Sequence, residues 1–345
     1  MNTKILKFNT ENYDELLPFA EIIKRGELVA FPTETVYGLG ADATNPEAVK
    51  KIFEVKNRPA NNPLIAHIDS TAMLSVIAKN IPEEFEILFN AFWPGALTVV
   101  LDKKDIVPDI VTAGGNTVAV RCPSHPVANR LIKLSGVPIV APSANLSTKP
   151  SPTRFEHVYA DLNNKISGII DGGECEIGIE STVIIRTGHK SVKILRPGAI
   201  TENMLRDKGF EVTVDEHVLK PAQSGAKVSS PGMLHKHYAP KAEMEIIRGD
   251  DKAVIAFINA KSEKGEKVGV LCFDNEQAFF KNAVAISYGN PDDPISLSKN
   301  LFNALREFDK TGVTKIYARV ISPDGVGLGI YNRMLRAASF NVTAL

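Results

Sequence analysis

The fold first shows in residues 24–43, which read KRGELVAFPTETVYGLGADA. The apolar run at 28–31 predicts a β-strand that ends at a proline. The polar residues 33–35 follow directly, in a segment that Gly38 and Gly40 allow to turn sharply. Because open α/β sheets bind ligands at the ends of their strands, this segment is a candidate binding site.

The same alternation continues along the first 200 residues and predicts an α/β sheet covered by helices. The predicted strands lie at 28–31, 64–68, 97–101, 117–121, 138–141 and 181–185, and amphipathic helices lie at 13–24 and 45–55. Residues 221–240 lack a periodic apolar face and predict a linker. Beyond the linker, strands at 245–247, 267–273 and 315–319 alternate with helices at 252–260, 295–310 and 329–338. We expect a first domain at 1–207, a linker or lid at 208–240 and a smaller α/β domain at 241–345.

Composition excludes several classes of protein. The 345 residues are 44% apolar and 23% charged, as in ordinary folded proteins. Lysine plus arginine equals aspartate plus glutamate at 40 each, which argues against a protein whose main work is to bind nucleic acid. Three widely spaced cysteines predict buried thiols in a reducing compartment. With neither a signal peptide nor a long apolar stretch, we expect a soluble cytoplasmic protein with no membrane partner.

Several common catalytic motifs are absent. The chain has no GxxxxGK[ST], HExxH or GxSxG motif. The glycines at 325, 327 and 329 lack the GxGxxG spacing and predict the start of a helix. His235 and His237 have no third ligand nearby, so we expect a linker there and no metal site.

Polar residues instead cluster at the ends or on one face of predicted strands. Lys56 and Arg58 are two residues apart, so on an extended segment both cations would point the same way and could bind phosphates or a carboxylate. His67 lies on the strand face opposite Ala66, and Thr117 shares a face with Arg121. Further candidates are Ser143, Asn145, Ser151, Ser181 and Arg196.

Each of these residues also has an ordinary structural interpretation. Alone, the cations would be solvated surface charges, the hydroxyls would cap turns, and the histidine would be a core residue. Composition and periodicity therefore indicate a two-domain α/β protein, an enzyme with an anion-binding cleft in its first domain.

The motifs as a set closely resemble the YrdC-like family of threonylcarbamoyl-adenylate synthases. The resemblance rests on residues 24–43, 51–68, 92–101, 117–126, 138–153, 178–184 and 195–200, in that order. The segments SPGMLHKHYAPKAE at 230–243 and GVGLGIYNRMLRAA at 325–338 resemble the long, two-domain form of the family. The family's KxR and SxN signatures are present at 56–58 and 143–145.

The resemblance implies a YrdC-like twisted open α/β sheet domain and a smaller Rossmann-like C-terminal domain. It also implies that L-threonine, bicarbonate and ATP are converted to threonylcarbamoyl-AMP and pyrophosphate, with Mg²⁺ bridging phosphates. The product would supply the N6-threonylcarbamoyl group of tRNA adenosine. A separate tRNA threonylcarbamoyl-transferase complex would make the final transfer, so we expect only weak tRNA contact.

Site residues follow from the same resemblance. The residues expected to bind threonine are Thr35, His67, Arg121, Ala141 and Ser181, with Arg121 the natural partner of the carboxylate. Those expected to bind ATP are Arg58, Asn62, Thr117, Ser143, Asn145, Ser151, Arg196 and Tyr238. Lys56 and Arg58 are the expected catalytic residues, with Lys56 adding charge near the phosphates. Because Tyr238 lies in the predicted linker, we expect residues 229–240 to fold over the cleft as a lid that excludes water.

Two other functions fit parts of the sequence. A concave basic cleft could bind an RNA backbone, but the zero net charge and the lack of basic residues interleaved with aromatics argue against an RNA-binding module. A carbamoyltransferase that uses carbamoyl phosphate shares the first domain in some proteins. The zinc-finger and acylphosphatase segments that such an enzyme requires are absent from this sequence.

Overall fold

The computed structural model describes residues 2–221 and 237–345. Within these residues, twelve strands form one mixed sheet and five form a second sheet. The first sheet consists of β1 (Lys4–Lys7), β2 (Val29–Phe31), β3 (Gly38–Asp42), β4 (Ile65–His67), β5 (Ala78–Lys79), β6 (Leu97–Lys103), β7 (Thr117–Arg121), β8 (Ile139–Val140), β9 (Gly168–Asp171), β10 (Thr182–Gly188), β11 (Ser191–Arg196) and β12 (Glu211–Val214). The second consists of β13 (Glu243–Arg248), β14 (Val268–Cys272), β15 (Val284–Ser287), β16 (Lys315–Ala318) and β17 (Val342–Ala344).

The helices lie between these strands along the chain. They are α1 (Leu17–Lys24), α2 (Pro46–Lys56), α3 (Thr71–Ile77), α4 (Phe85–Phe92), α5 (Asp109–Thr112), α6 (Pro126–Ser135), α7 (Phe155–Leu162), α8 (Glu202–Arg206), α9 (Asp251–Glu263), α10 (Pro294–Phe308) and α11 (Val326–Ala337). Among the described residues, no helix is both long and apolar enough to cross a membrane.

Local sequence explains where α2 begins and ends. The Asn45 side-chain oxygen accepts hydrogen bonds from the backbone nitrogens of Glu47 at 3.1 Å and Ala48 at 3.2 Å. Pro46 occupies the first turn, where its missing N–H costs nothing. Asn57 ends the helix in the left-handed conformation, with a φ of 51°. This geometry fixes where the chain leaves α2 toward β4.

The strand register of the first sheet builds one face for a binding site. The sheet order is β1-β9-β2-β3-β8-β4-β7-β6-β10-β11-β12, with β5 on the edge of β6. In the parallel pair β4 and β7, His67 lies opposite Arg121. On the other side of β4, His67 pairs with Ile139 of β8. Since Val118 and Val120 face the main apolar core, the alternating residue Arg121 points to the opposite face.

The second sheet is parallel throughout, in the order β15-β14-β16-β13-β17. Helices α10 and α11 cover one face of it and contribute Leu301, Phe302 and Met334 to its core. That core also includes Val36 and Ile179 from the first part of the chain. The two sheets therefore share apolar contacts next to the polar segment at 33–35.

The predicted strands and helices are confirmed, with ends shifted by a few residues. The interval 117–121 is matched by β7 without any shift. No interval was predicted for the helices α3 to α8 or for eight of the strands, which are β1, β3, β5, β9, β11, β12, β15 and β17. One expectation needs correction: β12 lies within the predicted linker and pairs with β11, so the first sheet extends beyond residue 207. The alternating apolar residues of β12 pack at the edge of the sheet, and composition alone does not predict this pairing with β11.

Replacing Asn45 by alanine removes the acceptor for two backbone N–H groups of α2. We expect a loss of about 1 kcal/mol of stability, because such N-caps contribute that much. For a domain of this size, the melting temperature should fall by roughly 2–4 °C. Thermal unfolding followed by circular dichroism measures this change. Asn45→Asp keeps an acceptor and is the control, and equal melting of the alanine and aspartate variants would contradict the cap.

Candidate functional site

A polar cavity lies along β4, next to the end of β7, the end of β8 and the residues just before β10. The predicted residues that line it are Thr35, Arg58, His67, Arg121, Ala141, Ser143, Ser181, Arg196 and Tyr238. The structure therefore brings together residues from seven of the quoted motif segments, which are far apart in sequence. Glu180, which was not predicted, also lines the cavity.

The turn after β2 places Thr35 at one end of the cavity. The Thr33 hydroxyl oxygen accepts hydrogen bonds from the backbone nitrogens of Thr35 at 3.1 Å and Val36 at 3.2 Å. The same hydroxyl donates to the Val36 carbonyl at 2.6 Å. A hydroxyl that bonds the backbone of the following residues fixes a tight turn. The Thr35 side chain is consequently buried and points toward β7.

Arg121 ends β7 and is held from three directions. Its Nη1 donates to the Thr35 hydroxyl at 2.7 Å, and its Nε donates to the Gly95 carbonyl at 3.1 Å. Its Nη2 lies 2.7 Å from a carboxylate oxygen of Glu34, an ion pair without good hydrogen-bond alignment. Burial alone would raise the pKa of Glu34, but the Arg121 charge, together with hydrogen bonding from Arg121 and the backbone, outweighs burial and lowers it. Glu34 is thus a buried carboxylate that orients Arg121.

His67 faces the cavity as a neutral ring. Its Nδ1 lies 3.2 Å from the Ile65 carbonyl. Burial, aided by the Arg121 charge, lowers the pKa of His67 to about 3. A neutral imidazole beside Arg121 adds no second positive charge to this end of the cavity.

Arg58 and Lys56 point to different places, which corrects the expectation of an extended segment. Lys56 is the last residue of α2, and the left-handed turn at Asn57 redirects the chain. The Arg58 Nη2 donates to the Pro63 carbonyl at 3.1 Å, and burial lowers the pKa of Arg58 to about 10. The two-residue spacing therefore brings only Arg58 to the cavity.

Lys56 is buried behind the loop that contains Ser143 and Asn145. Its Nζ donates to the carbonyl oxygens of both residues at 2.5 Å and approaches the Asn145 side-chain oxygen at 3.4 Å. Burial lowers the pKa of Lys56 well below its usual value. Lys56 thus shapes the loop that presents Ser143, and its own ammonium group does not line the cavity.

Arg196 and Ser181 form one hydrogen-bonded unit across β10 and β11. The Arg196 Nε donates to the Ser181 carbonyl at 3.0 Å, and Nη2 donates to the Ser181 hydroxyl at 3.1 Å. That hydroxyl also bonds the Thr98 hydroxyl at 2.7 Å. Burial and the charge of Arg333 lower the pKa of Arg196 to about 10. The guanidinium is fixed by neutral groups and keeps its positive charge.

Tyr238 reaches the cavity from the segment before β13. Its ring lies 5.1 Å from the Phe302 ring of α10, and the side chain is buried. The next residue, Ala239, donates its backbone N–H to the Thr148 carbonyl at 2.8 Å. Burial raises the pKa of Tyr238, so its hydroxyl stays protonated. Of the lid expected at 229–240, residues 229–236, including His235, lie outside the described residues.

The remaining predicted residues lie outside the cavity lining. They are Lys56, Asn62, Thr117, Asn145 and Ser151. Thr117 is exposed at the end of β7 farthest from Arg121. Asn145 donates its amide to the carbonyls of Leu146 and Lys149, both at 2.9 Å, and so stabilises its own loop.

Sequence reasoning missed two buried charged residues near the cavity, Glu180 and Arg333, and gave Glu34 no role of its own within the candidate segment 33–35. The two glutamates lie inside the motifs at 24–43 and 178–184, each next to a hydroxyl residue that was predicted to bind threonine. Arg333 lies in α11 and is fully buried, and its Nε donates to Glu180 at 2.8 Å. Among the described residues, no group of three or more His, Cys, Asp or Glu side chains could hold a metal ion.

We expect the His67 ring to stay neutral at pH 5. Its folded pKa of about 3 lies below the usual value near 6.5, so the unfolded state binds the proton between these values. The stability from burying the neutral ring is present above about pH 6.5 and is lost as the pH falls toward 3. Nitrogen chemical shifts of the ring, followed by NMR, measure its protonation.

The Arg121→Gln variant serves as the comparison for His67. Removing the neighbouring positive charge should raise the pKa of His67 relative to the wild type. A ring that is already protonated at pH 6 in the wild type would contradict the buried, neutral state.

Comparison with known proteins agrees with this architecture. A family model described as "Telomere recombination" matches residues 21–198, and one described as "Threonylcarbamoyl-AMP synthase, C-terminal domain" matches residues 200–339. The threonylcarbamoyl-AMP synthase of Pyrococcus abyssi is 46% identical over 333 residues, which cover 94% of each chain. The Bacillus subtilis threonylcarbamoyl-AMP synthase is 43% identical and covers 96% of this chain and 95% of its own.

A solved structure shows the same fold along the whole chain. The crystal structure of P. abyssi Sua5 complexed with L-threonine matches with a TM-score of 0.92 and 42% identity, covering 100% of both chains. Matches of this extent and identity establish the family. This chain belongs to the YrdC-like threonylcarbamoyl-AMP synthases, in their long, two-domain form.

Proposed function

We propose that this protein makes threonylcarbamoyl-AMP and pyrophosphate from L-threonine, bicarbonate and ATP. The observation that supports this most directly is the cavity itself. It places the oriented guanidinium of Arg121 at one end and two further arginines, Arg58 and Arg196, around the rest. An amino acid carboxylate and a nucleotide triphosphate are the anions that such an arrangement suits.

The threonine end of the cavity consists of Thr35, His67, Arg121, Ala141 and Ser181. Arg121 pairs with the threonine carboxylate, because its guanidinium is already oriented by Thr35 and Glu34. The neutral His67 ring and the Thr35 and Ser181 hydroxyls offer hydrogen bonds without added charge. The small Ala141 leaves space beside β8. A structure of P. abyssi Sua5 complexed with L-threonine supports threonine as the amino acid bound.

The ATP end contains Arg58, Ser143, Arg196 and Tyr238. Two guanidiniums held by neutral oxygens neutralise phosphate charge, and Tyr238 covers the nucleotide from the side of α10. Asn62, Asn145 and Ser151 support this end from behind the lining, and Thr117, exposed at the other end of β7 from Arg121, is assigned to ATP from the family resemblance alone. Magnesium enters as part of MgATP and is held mainly by phosphate and water oxygens.

The reaction needs no covalent enzyme intermediate. The threonine amine nitrogen bonds to the bicarbonate carbon, water leaves, and an N-carboxylate forms. One oxygen of that carboxylate attacks the α-phosphorus of ATP, and the bond to the bridging oxygen breaks to release pyrophosphate. The chain's own task is to bind both partners, align carboxylate and α-phosphate, and exclude water. The activity is therefore that of a nucleotidyltransferase.

The proposal also covers the domain organisation, the fate of the product and the location of the enzyme. We also propose a catalytic domain that runs from residue 1 through β12, a linker or lid that follows β12 and ends at 240, and a C-terminal domain at 241–345. The product passes to a tRNA threonylcarbamoyl-transferase complex, with weak tRNA contact at most. We place the enzyme in the cytoplasm, where ATP and tRNA are available.

Lys56 acts in this scheme as a positioning residue and Arg58 as the catalytic residue. The Lys56 ammonium group bonds three oxygens of the 143–145 loop, whereas Arg58 faces the cavity. Lys56 therefore affects ATP binding indirectly, because it fixes the position of Ser143.

The decisive test measures pyrophosphate release from MgATP with and without L-threonine and bicarbonate. Chromatography of the same mixtures detects threonylcarbamoyl-AMP. We expect release only when both co-substrates are present, together with that product. Release without threonine, or tight and steeply salt-dependent RNA binding without any release, would reject the synthase and favour the RNA-binding alternative.

Lys56→Met leaves two buried carbonyls and an amide oxygen without their donor. We expect KM for ATP to rise about tenfold, because a misplaced loop weakens ATP binding, while KM for threonine stays nearly unchanged. Steady-state kinetics with each substrate varied in turn measure both values. Lys51→Met, which removes a half-exposed ion pair with Glu27, is the control. If Lys56→Met had the same KM for ATP as the wild type, the positioning role of Lys56 would be rejected.

A further inference from the structure

A buried ion pair joins α11 to the wall of the cavity. Arg333 is fully buried, and its Nε donates to a carboxylate oxygen of Glu180 at 2.8 Å. Its Nη2 donates to the Glu180 carbonyl at 3.0 Å, and its Nη1 donates to the Pro197 carbonyl at 2.5 Å. The second domain thereby reaches a residue that lines the cavity of the first.

Both carboxylate oxygens of Glu180 are occupied. One accepts from Arg333, and the other accepts from the Ser151 hydroxyl at 2.5 Å. Burial alone would raise the pKa of Glu180, but the charges of Arg333 and Arg196 and the hydrogen bonds from Ser151 and Arg333 together outweigh burial and lower the pKa. Glu180 is therefore an ionised carboxylate inside a cavity suited to anions, and its charge must be compensated.

Arg196 is the second cation close to this carboxylate. Its Nε and Nη2 bind Ser181, and in the described part of the chain it makes no ion pair with Glu180. Guanidinium and carboxylate groups pair strongly when both are desolvated. Without Arg333, the nearest partner for Glu180 would be Arg196, and that pairing would remove one positive charge from the ATP end.

Close backbone packing keeps Arg333 in place. A Cβ atom on Gly329 of α11 would lie 3.2 Å from the Gly198 Cα and 2.9 Å from the Ile179 side chain. From α10, the Ser298 hydroxyl donates to the Ile177 carbonyl at 2.7 Å. Both helices thus pack directly against the segment that contains Glu180. In α11, the contact at Gly329 is one helical turn before Arg333.

We propose that Arg333 is a positioning residue for ATP binding. It pairs with the Glu180 carboxylate, and the Arg196 guanidinium therefore stays available to the triphosphate. This gives the second domain a direct part in the site. The inference rests on the proposed function only in naming ATP as the nucleotide. Arg333 itself touches no substrate in this scheme.

The test replaces Arg333 with methionine, which fills the space of the aliphatic part of the side chain and removes the charged guanidinium group. We expect KM for ATP to rise about tenfold, with kcat and KM for threonine changing less than about threefold. Isothermal titration of ATP into the protein without threonine should show the same loss of affinity. A purely structural defect would instead lower the active fraction and leave both KM values unchanged.

The double variant Arg333→Met, Glu180→Gln tests the mechanism directly. Removing the carboxylate removes the competitor for Arg196, so ATP affinity should return to within about threefold of the wild type. Arg319→Met is the matched control, because Arg319 is also buried and pairs with Asp251 and Glu276 within the second domain. We expect it to lower the melting temperature without changing ATP affinity.

The outcomes separate clearly. Unchanged ATP affinity in folded Arg333→Met, equal increases in both KM values, or failure of the second substitution to restore ATP affinity would overturn the inference. If Arg333→Met does not fold, the double variant decides: wild-type ATP affinity supports the inference, and weakened affinity overturns it. A wild-type protein that binds ATP but makes no threonylcarbamoyl-AMP would reject the proposed function alone, because the titrations still test Arg333.

Discussion

Buried positive charge is the constraint on which this site depends. A cation taken out of water requires hydrogen-bonded partners, and a carboxylate partner would cancel the charge that an anionic substrate needs. The chain meets this need mostly with neutral oxygens. Arg58 bonds a backbone carbonyl, Arg196 bonds the carbonyl and hydroxyl of Ser181, and Lys56 bonds the carbonyls of a loop. Neutral acceptors orient a cation and leave its charge in place, so this part of the cavity stays positive.

The threonine end follows a different rule, and the difference separates two substrates. Arg121 lies against Glu34, so the pair has little net charge, and the His67 ring beside it is neutral. A free amino acid has both a carboxylate and an amine and needs orientation more than added positive charge. A triphosphate has several negative charges and needs compensation. Glu180 lies where the two regions meet, which explains why a carboxylate there must be occupied by Arg333.

The sequence predicted those features that depend on local patterns. Strand β7 appears where alternation placed it, and His67 faces away from the core that contains Ala66. Most of the predicted site residues meet at one cavity. The prediction that Lys56 and Arg58 point the same way assumed an extended backbone. Lys56 instead ends α2, the backbone turns at the left-handed Asn57, and the Lys56 side chain points to the loop at 143–145. The Glu180 and Arg333 pair joins residues 153 positions apart, and no periodicity or spacing reports such a contact.

The titratable groups at the site also limit how catalysis can work. A general base at neutral pH is most effective with a pKa near 7. Burial lowers the pKa of His67 to about 3, the neighbouring arginines keep that of Glu180 low, and burial raises that of Cys122, which follows Arg121, to about 12. None of these three is suited to proton transfer at pH 7, so we assign none of them the role of general base for the threonine amine. The enzyme's contribution then lies in placing the N-carboxylate against the α-phosphate, and residues that touch no substrate, such as Lys56 and Arg333, set that placement.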